Sequence, residues 1–128
     1  MFVSLNIIAQ KADDIIGKYS LPNNIDVEIY KRGDKYFGKI IKLHDFEDGQ
    51  TLDIHNPDKS KRNKPILGME IIKNLEYDAE EKLWINGSMY GAEKGLVFNL
   101  EITKYSKTEI EVVGSKYIFW KTLIWKRI

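Results

Sequence analysis

The chain has 128 residues, the size of one domain around one core. With 43% hydrophobic and 30% charged residues it is too apolar for a disordered tail and too polar for a membrane bundle. Lys and Arg number 20 against 19 Asp and Glu, a net charge of +1, which excludes the lopsided field of a dedicated nucleic-acid binder. The absence of cysteine excludes disulfide scaffolds, thiol catalysis and Cys-ligated zinc.

Residues 1–10 carry no charge, and charged side chains begin abruptly at Lys11. An apolar run ending in Ala before a polar segment fits the tail of a secretory signal peptide, although the basic leader is missing. The alternative is an N-terminal strand or turn that plugs the fold. The export reading divides the chain into a leader remnant at 1–10 and one domain at 11–128, and places the protein in a bacterial periplasm or outside the cell. Ten residues are too few to cross a bilayer, which takes about twenty, so no stable membrane insertion is expected.

Lys11 to Ile16 supports a single helical turn at most. In Asp26–Tyr30, Val27 and Ile29 fall on one face of a strand. Arg32–Lys35 is a turn around Gly33, and Tyr36–Leu43 returns as the second arm of a hairpin. His44–Lys64 is polar and longer than most connections. After Pro65 a strand is expected over Ile66–Ile72. Asp78–Lys82 is an acidic turn leading to Leu83–Tyr90, and Gly91 and Gly95 bracket the next turn. Leu96, Phe98, Leu100 and Ile102 share one face of the following strand, with Asn99 and Glu101 on the other. Ile110 and Val112 repeat the alternation, and Tyr117–Arg127 forms an aromatic-rich last strand. The pattern is an all-β, antiparallel up-and-down meander of about eight strands. Closing it into a barrel removes its two edges, and a β-sandwich is the alternative.

The ends of the chain carry a closure signal. Gly17-Lys18-Tyr19 resembles the Gly-x-Trp element that opens lipocalin-like barrels, and Trp125-Lys126-Arg127 places a cation where those barrels stack an Arg on the first-strand aromatic. Four elements occur in order: the hairpin from Val27-Glu28-Ile29-Tyr30 through Tyr36-Phe37-Gly38-Lys39-Ile40, then Asn56-Pro57-Asp58 with Arg62 and Pro65-Ile66-Leu67-Gly68-Met69-Glu70, then Trp84-Ile85-Asn86-Gly87, and the closing Trp125-Lys126-Arg127. Together they resemble the bacterial exported family known as domain of unknown function 2147. The likeness runs from Ile15 to Ile128. Gly91–Gly95 replaces the family's more usual Asp-Pro turn, and the Cys pair of many members is missing. The resemblance implies a small exported, lipocalin-like barrel and brings no activity, cofactor or catalytic residue with it.

Chemistry must therefore come from the residues. His44, Asp45, Glu47, Asp48, Asp53 and His55 are potential metal donors, but their spacing fits neither a calcium loop nor a zinc helix, and a solvated loop is the better reading. Glu28 and Glu70 would form an acid–base pair only if both faced inward. No serine lies in a nucleophile elbow and neither His neighbours a nucleophile, so an enzyme is disfavoured without being excluded. Lys59–Lys64 is the densest cationic run; it reads as a solvated loop, with anionic headgroups or nucleic acid as alternatives. The strand aromatics either fill the barrel or line a hollow for an apolar ligand. Trp84, Tyr90, Phe98 and Trp120 are the expected ligand-lining residues, and Gly17, Tyr19, Trp125 and Arg127 the expected closure set. No catalytic residue, metal or cofactor is expected. The expected partner is a small hydrophobic or amphipathic ligand, not nucleic acid; the alternative is a structural or envelope-interaction module with a filled core, and a protein partner is left open.

Overall fold

The computed structural model describes residues 12–128; the uncharged run 1–10, read above as a leader, lies outside them. The chain forms a closed antiparallel barrel of eight strands in sequential order. These are β1 (Gly17–Ser20), β2 (Ile25–Arg32), β3 (Lys35–Leu43), β4 (Glu70–Asp78), β5 (Leu83–Gly91), β6 (Leu96–Tyr105), β7 (Glu109–Lys116) and β8 (Phe119–Arg127). Alternation sets the two faces. Val27, Ile29, Leu100, Ile102, Ile110 and Val112 point inward and are buried, while Lys18, Glu28, Lys39 and Glu101 face outward.

One expected strand is displaced. Ile66–Met69 is not extended: Met69 N–H donates to Ile66 C=O at 3.0 Å and Gly68 has φ 85°. This turn feeds the 44–69 loop into β4, whose pairing begins at Glu70. Ile66 is fully buried as the loop's anchor rather than as a sheet residue.

The two ends of the barrel differ. At one end the short turn at residues 12–16 lies under the strands and caps them. Ile15 is completely buried there. Trp84 Nε1–H donates to Ala12 C=O at 2.9 Å, Tyr19 Oη–H to Ile15 C=O at 2.8 Å and Tyr36 Oη–H to Asp13 Oδ1 at 2.5 Å. The single turn expected before Gly17 is thus the floor of the barrel. At the other end emerge the β1–β2 loop, the 44–69 loop and the β5–β6 and β7–β8 hairpins.

The seam between β1 and β8 is short, with only Tyr19 opposite Arg127 and Ser20 opposite Lys126 in register. Arg127 compensates. Its guanidinium donates to Asp14 C=O at 3.1 Å, to Ile16 C=O at 2.5 Å and to Tyr105 Oη at 3.2 Å, and lies 5.4 Å from the Tyr19 ring centroid. It fits because Gly17 has no side chain: a Cβ there would sit 2.8 Å from Arg127 Nη2. The last strand, the first strand and the floor are thereby tied to one cation.

Arg127→Ala is expected to lower the unfolding free energy by about 2 kcal/mol, the scale of charge-assisted hydrogen bonds. Arg127→Lys should recover less than half of that, since an ammonium lacks the planar fork. Urea denaturation monitored by circular dichroism measures both, and an unchanged midpoint in the Ala variant contradicts the clamp.

Candidate functional site

Above the floor the interior is not filled. A cavity of about 560 Å³ opens at the loop-bearing end. Its wall is built from inward positions of successive strands: Ile25, Ile40, Ile71, Met89, Leu100, Val112, Leu123 and Trp125. Leu21 and Phe46 add apolar surface from the loops. Polar groups are confined to a few positions, including Asn23, Glu93, Ser115, Lys116 and Lys121. An apolar pocket of this size with a sparse polar edge is the ordinary form of a small-molecule site.

Three of the four expected lining residues, Tyr90, Phe98 and Trp120, border this cavity. Phe98 faces inward opposite Met89, and a Cβ at Gly114 would meet its ring at 3.1 Å, so Gly114 leaves room for that ring. Trp120 stands at the rim, paired with Ser115 across the β7–β8 hairpin. Trp84 lies elsewhere. It is packed into the closed end against Tyr77, at a centroid separation of 4.9 Å, with its indole N–H on Ala12. Trp84 opens β5 at the closed end, and the position of Tyr90 further along has a local cause. The ladder between β5 and β6 slips between Trp84 and Gly87, with Asn86 at φ 63°, so the inward series runs Trp84, Gly87, Met89. Met89 therefore occupies the inner position that simple alternation from Trp84 gives to Tyr90.

Tyr90 instead secures the long loop. Its hydroxyl donates to Asp53 Oδ1 at 2.6 Å, and Asn56 Nδ2 donates to Asp53 Oδ2 at 2.7 Å. Burial, and next the Asp53 carboxylate, push the Tyr90 phenol up, which keeps it a neutral donor. Asn56 Oδ1 accepts from Asp58 N–H at 2.8 Å, Asn56 C=O accepts from Arg62 Nε–H at 2.7 Å, and Asp58 Oδ1 caps Ser60 N–H at 3.0 Å. The Asn56-Pro57-Asp58 and Arg62 element is thus the internal frame of the loop that carries Phe46 to the cavity.

The other sequence elements that carried the resemblance have equally physical jobs. Glu70 lies outside the barrel, hydrogen-bonded to Tyr30 and paired with Arg32 at 2.9 Å, and Arg32 covers the Phe37 ring at 3.8 Å. Glu28 also faces outward, so the two carboxylates do not meet in the interior. A Cβ on Gly87 would come within 2.5 Å of Leu75 Cδ2, so Gly87 makes room for a buried leucine. Trp125 is almost fully buried and lines the cavity, whereas the closing contacts belong to Gly17, Tyr19 and Arg127. In the polar loop, His44 Nε2 pairs with Asp26 Oδ2 at 2.9 Å, and among the described residues no three metal-ligating side chains gather. Alternation alone missed Phe46 and Met89; the Asn-Gly pair at 86–87 and a lone aromatic in a polar loop were the available signals.

The Arg32 hydrogen bond is the main reason the Glu70 carboxyl lies below its ordinary value; burial opposes it. Such a group stabilises the fold fully above its unfolded pKa, near 4.3, and loses that contribution as pH falls through the lower folded value. Glu70→Gln should therefore show a shallower loss of stability than the parent between about pH 5 and pH 3 in denaturant titrations. Identical acid limbs contradict the latch.

Residues 17–127 match the family described as uncharacterized protein conserved in bacteria, domain of unknown function 2147. The fold is similar to that of protein HP1028 from the human pathogen Helicobacter pylori, which belongs to the lipocalin family. The TM-score is 0.77 at 21% identity, covering 89% of this chain and 82% of that one. No curated protein matches the chain.

Proposed function

The chain belongs to the bacterial domain of unknown function 2147 family and folds as a lipocalin-like barrel, and from that premise we propose that it is a non-enzymatic carrier of a small hydrophobic or amphipathic molecule held in the barrel. One observation carries this reading: the closed half of the interior is solid while the open half is an apolar hollow of about 560 Å³. A barrel whose only task is structural gains stability by filling that space, because each buried methylene adds about 0.8 kcal/mol. Eight-stranded barrels have an interior suited to one small ligand. The apolar wall of Leu100, Val112, Leu123 and Trp125 takes the hydrocarbon part, and Lys116 and Lys121 at the edge suit an anionic head. Export to the periplasm or beyond is part of the same proposal and is supported by the uncharged run before Lys11.

Titration with a dansyl-labelled undecanoic acid tests it. Leu123 is partly exposed and borders the cavity, so the bulk added by Leu123→Trp enters open space rather than packed core. The parent should bind the probe saturably with a blue-shifted dansyl emission, and Leu123→Trp should weaken binding about tenfold or more, the scale of one lost large apolar contact. Absence of saturable binding across chain lengths, or equal binding by a well-folded Leu123→Trp variant, contradicts the cavity as the site.

A further inference from the structure

The β7–β8 hairpin ends in four consecutive large apolar residues that the barrel does not cover. Tyr117, Ile118, Phe119 and Trp120 are 89%, 78%, 74% and 75% exposed. A run of this kind on a water-soluble surface costs solubility and marks an interaction site. It is not an incomplete piece of core, because strand alternation sends Phe119 and Trp120 to opposite faces and Tyr117 and Ile118 form the turn itself.

Shape and charge select the occupant. The tip is convex, so it enters a soft surface rather than receiving a side chain. Lys116 and Lys121 collar it, and from Val112 to Ile128 the sequence contains no Asp or Glu. Lys59, Lys61 and Lys64, all exposed, lie in the long loop at the same end of the barrel, alongside the exposed carboxylates Asp45, Glu47, Asp48 and Asp58, with Glu93 at the cavity edge. Asp58 is occupied in capping Ser60. Aromatic and aliphatic side chains flanked by snorkelling lysines are the composition that settles at a membrane–water interface. The outward charges on the strands, such as Lys18, Glu28, Lys73 and Glu101, keep the barrel wall itself out of hydrocarbon. No helix among the described residues is long and apolar enough to cross a membrane.

We propose that the β7–β8 tip docks the open end of the barrel on an anionic lipid bilayer, with Tyr117, Ile118 and Trp120 at the interface and Lys116 and Lys121 on the headgroups. Phe119, Trp120, Lys116 and Lys121 also border the cavity, so docking brings its mouth to the lipid surface. The docking does not depend on what the cavity holds.

The molecule contains its own probe. Of its three tryptophans, Trp84 and Trp125 are 3% and 1% exposed, which leaves Trp120 to report on the tip. The full chain is mixed with phosphatidylcholine vesicles with and without phosphatidylglycerol and followed by flotation and tryptophan emission. Flotation with the phosphatidylglycerol vesicles is expected at low salt and weakens at high salt. Emission shifts to the blue and is quenched by bromine-labelled acyl chains. The double variant Tyr117→Ser, Ile118→Ser should lose about tenfold or more in partitioning while keeping its circular dichroism, since both side chains are in water. Ile128→Ser, an exposed apolar position at the opposite end, should bind like the parent. The proposal is overturned if the parent stays in solution with anionic vesicles or if the double variant floats equally well. A blue shift that grows with protein concentration in the absence of lipid also overturns it, because a second copy then covers the tip.

Discussion

The barrel depends on how a meander with two free edges is closed. The β1–β8 seam offers only two register pairs, too few to hold twisted edge strands together by backbone hydrogen bonds alone. Arg127 supplies the difference. One planar cation satisfies two carbonyls of the 12–16 turn, packs beside the Tyr19 and Tyr105 rings and occupies the space that Gly17 leaves free. An arginine suits this place because its donors diverge in a fixed plane and its hydration is weak enough to lie against aromatic rings.

Closure at one end has a consequence at the other. With the floor sealed by Ile15, Tyr19, Tyr36 and Trp84, all large side chains, the lower barrel packs as a solid core. The upper barrel sets Val112, Gly114 and Leu123 beside larger inward side chains such as Met89 and Phe98, and a hollow remains between them. The hydrogen-bonded frame of Asp53, Asn56, Asp58 and Arg62 holds the long loop rigid enough to bring Phe46 over that hollow. In this chain Asn56, Asp58, Arg62, Gly17 and Arg127 thus act as devices for building a cup.

Most of this was legible in the sequence wherever alternation is uninterrupted. The inward series Phe98, Leu100, Ile102 and the pair Ile110, Val112 follow directly from period-two spacing, and Gly17, Tyr19 and Arg127 meet as their chemistry suggests. What could not be read depends on single residues that break the period. The slip at Asn86 turns the face of everything after it in β5, so Met89 rather than Tyr90 takes the inner position, while Trp84 sits at the start of the strand in the closed end. The Ile66–Met69 turn carries an apolar run that looks like a strand but folds back through Gly68. Phe46 and the 12–16 floor are tertiary placements of short segments, and neither has a periodic signal to follow.

Methyl-resolved nuclear magnetic resonance during a decanoic acid titration tests the hollow as a binding site most directly. Resonances of Met89, Leu100, Val112 and Leu123 should shift saturably together, while Ile15, Leu75 and Ile102, buried in the solid half, stay in place. Shifts confined to outward-facing methyl groups, or none at saturating ligand, would contradict the account.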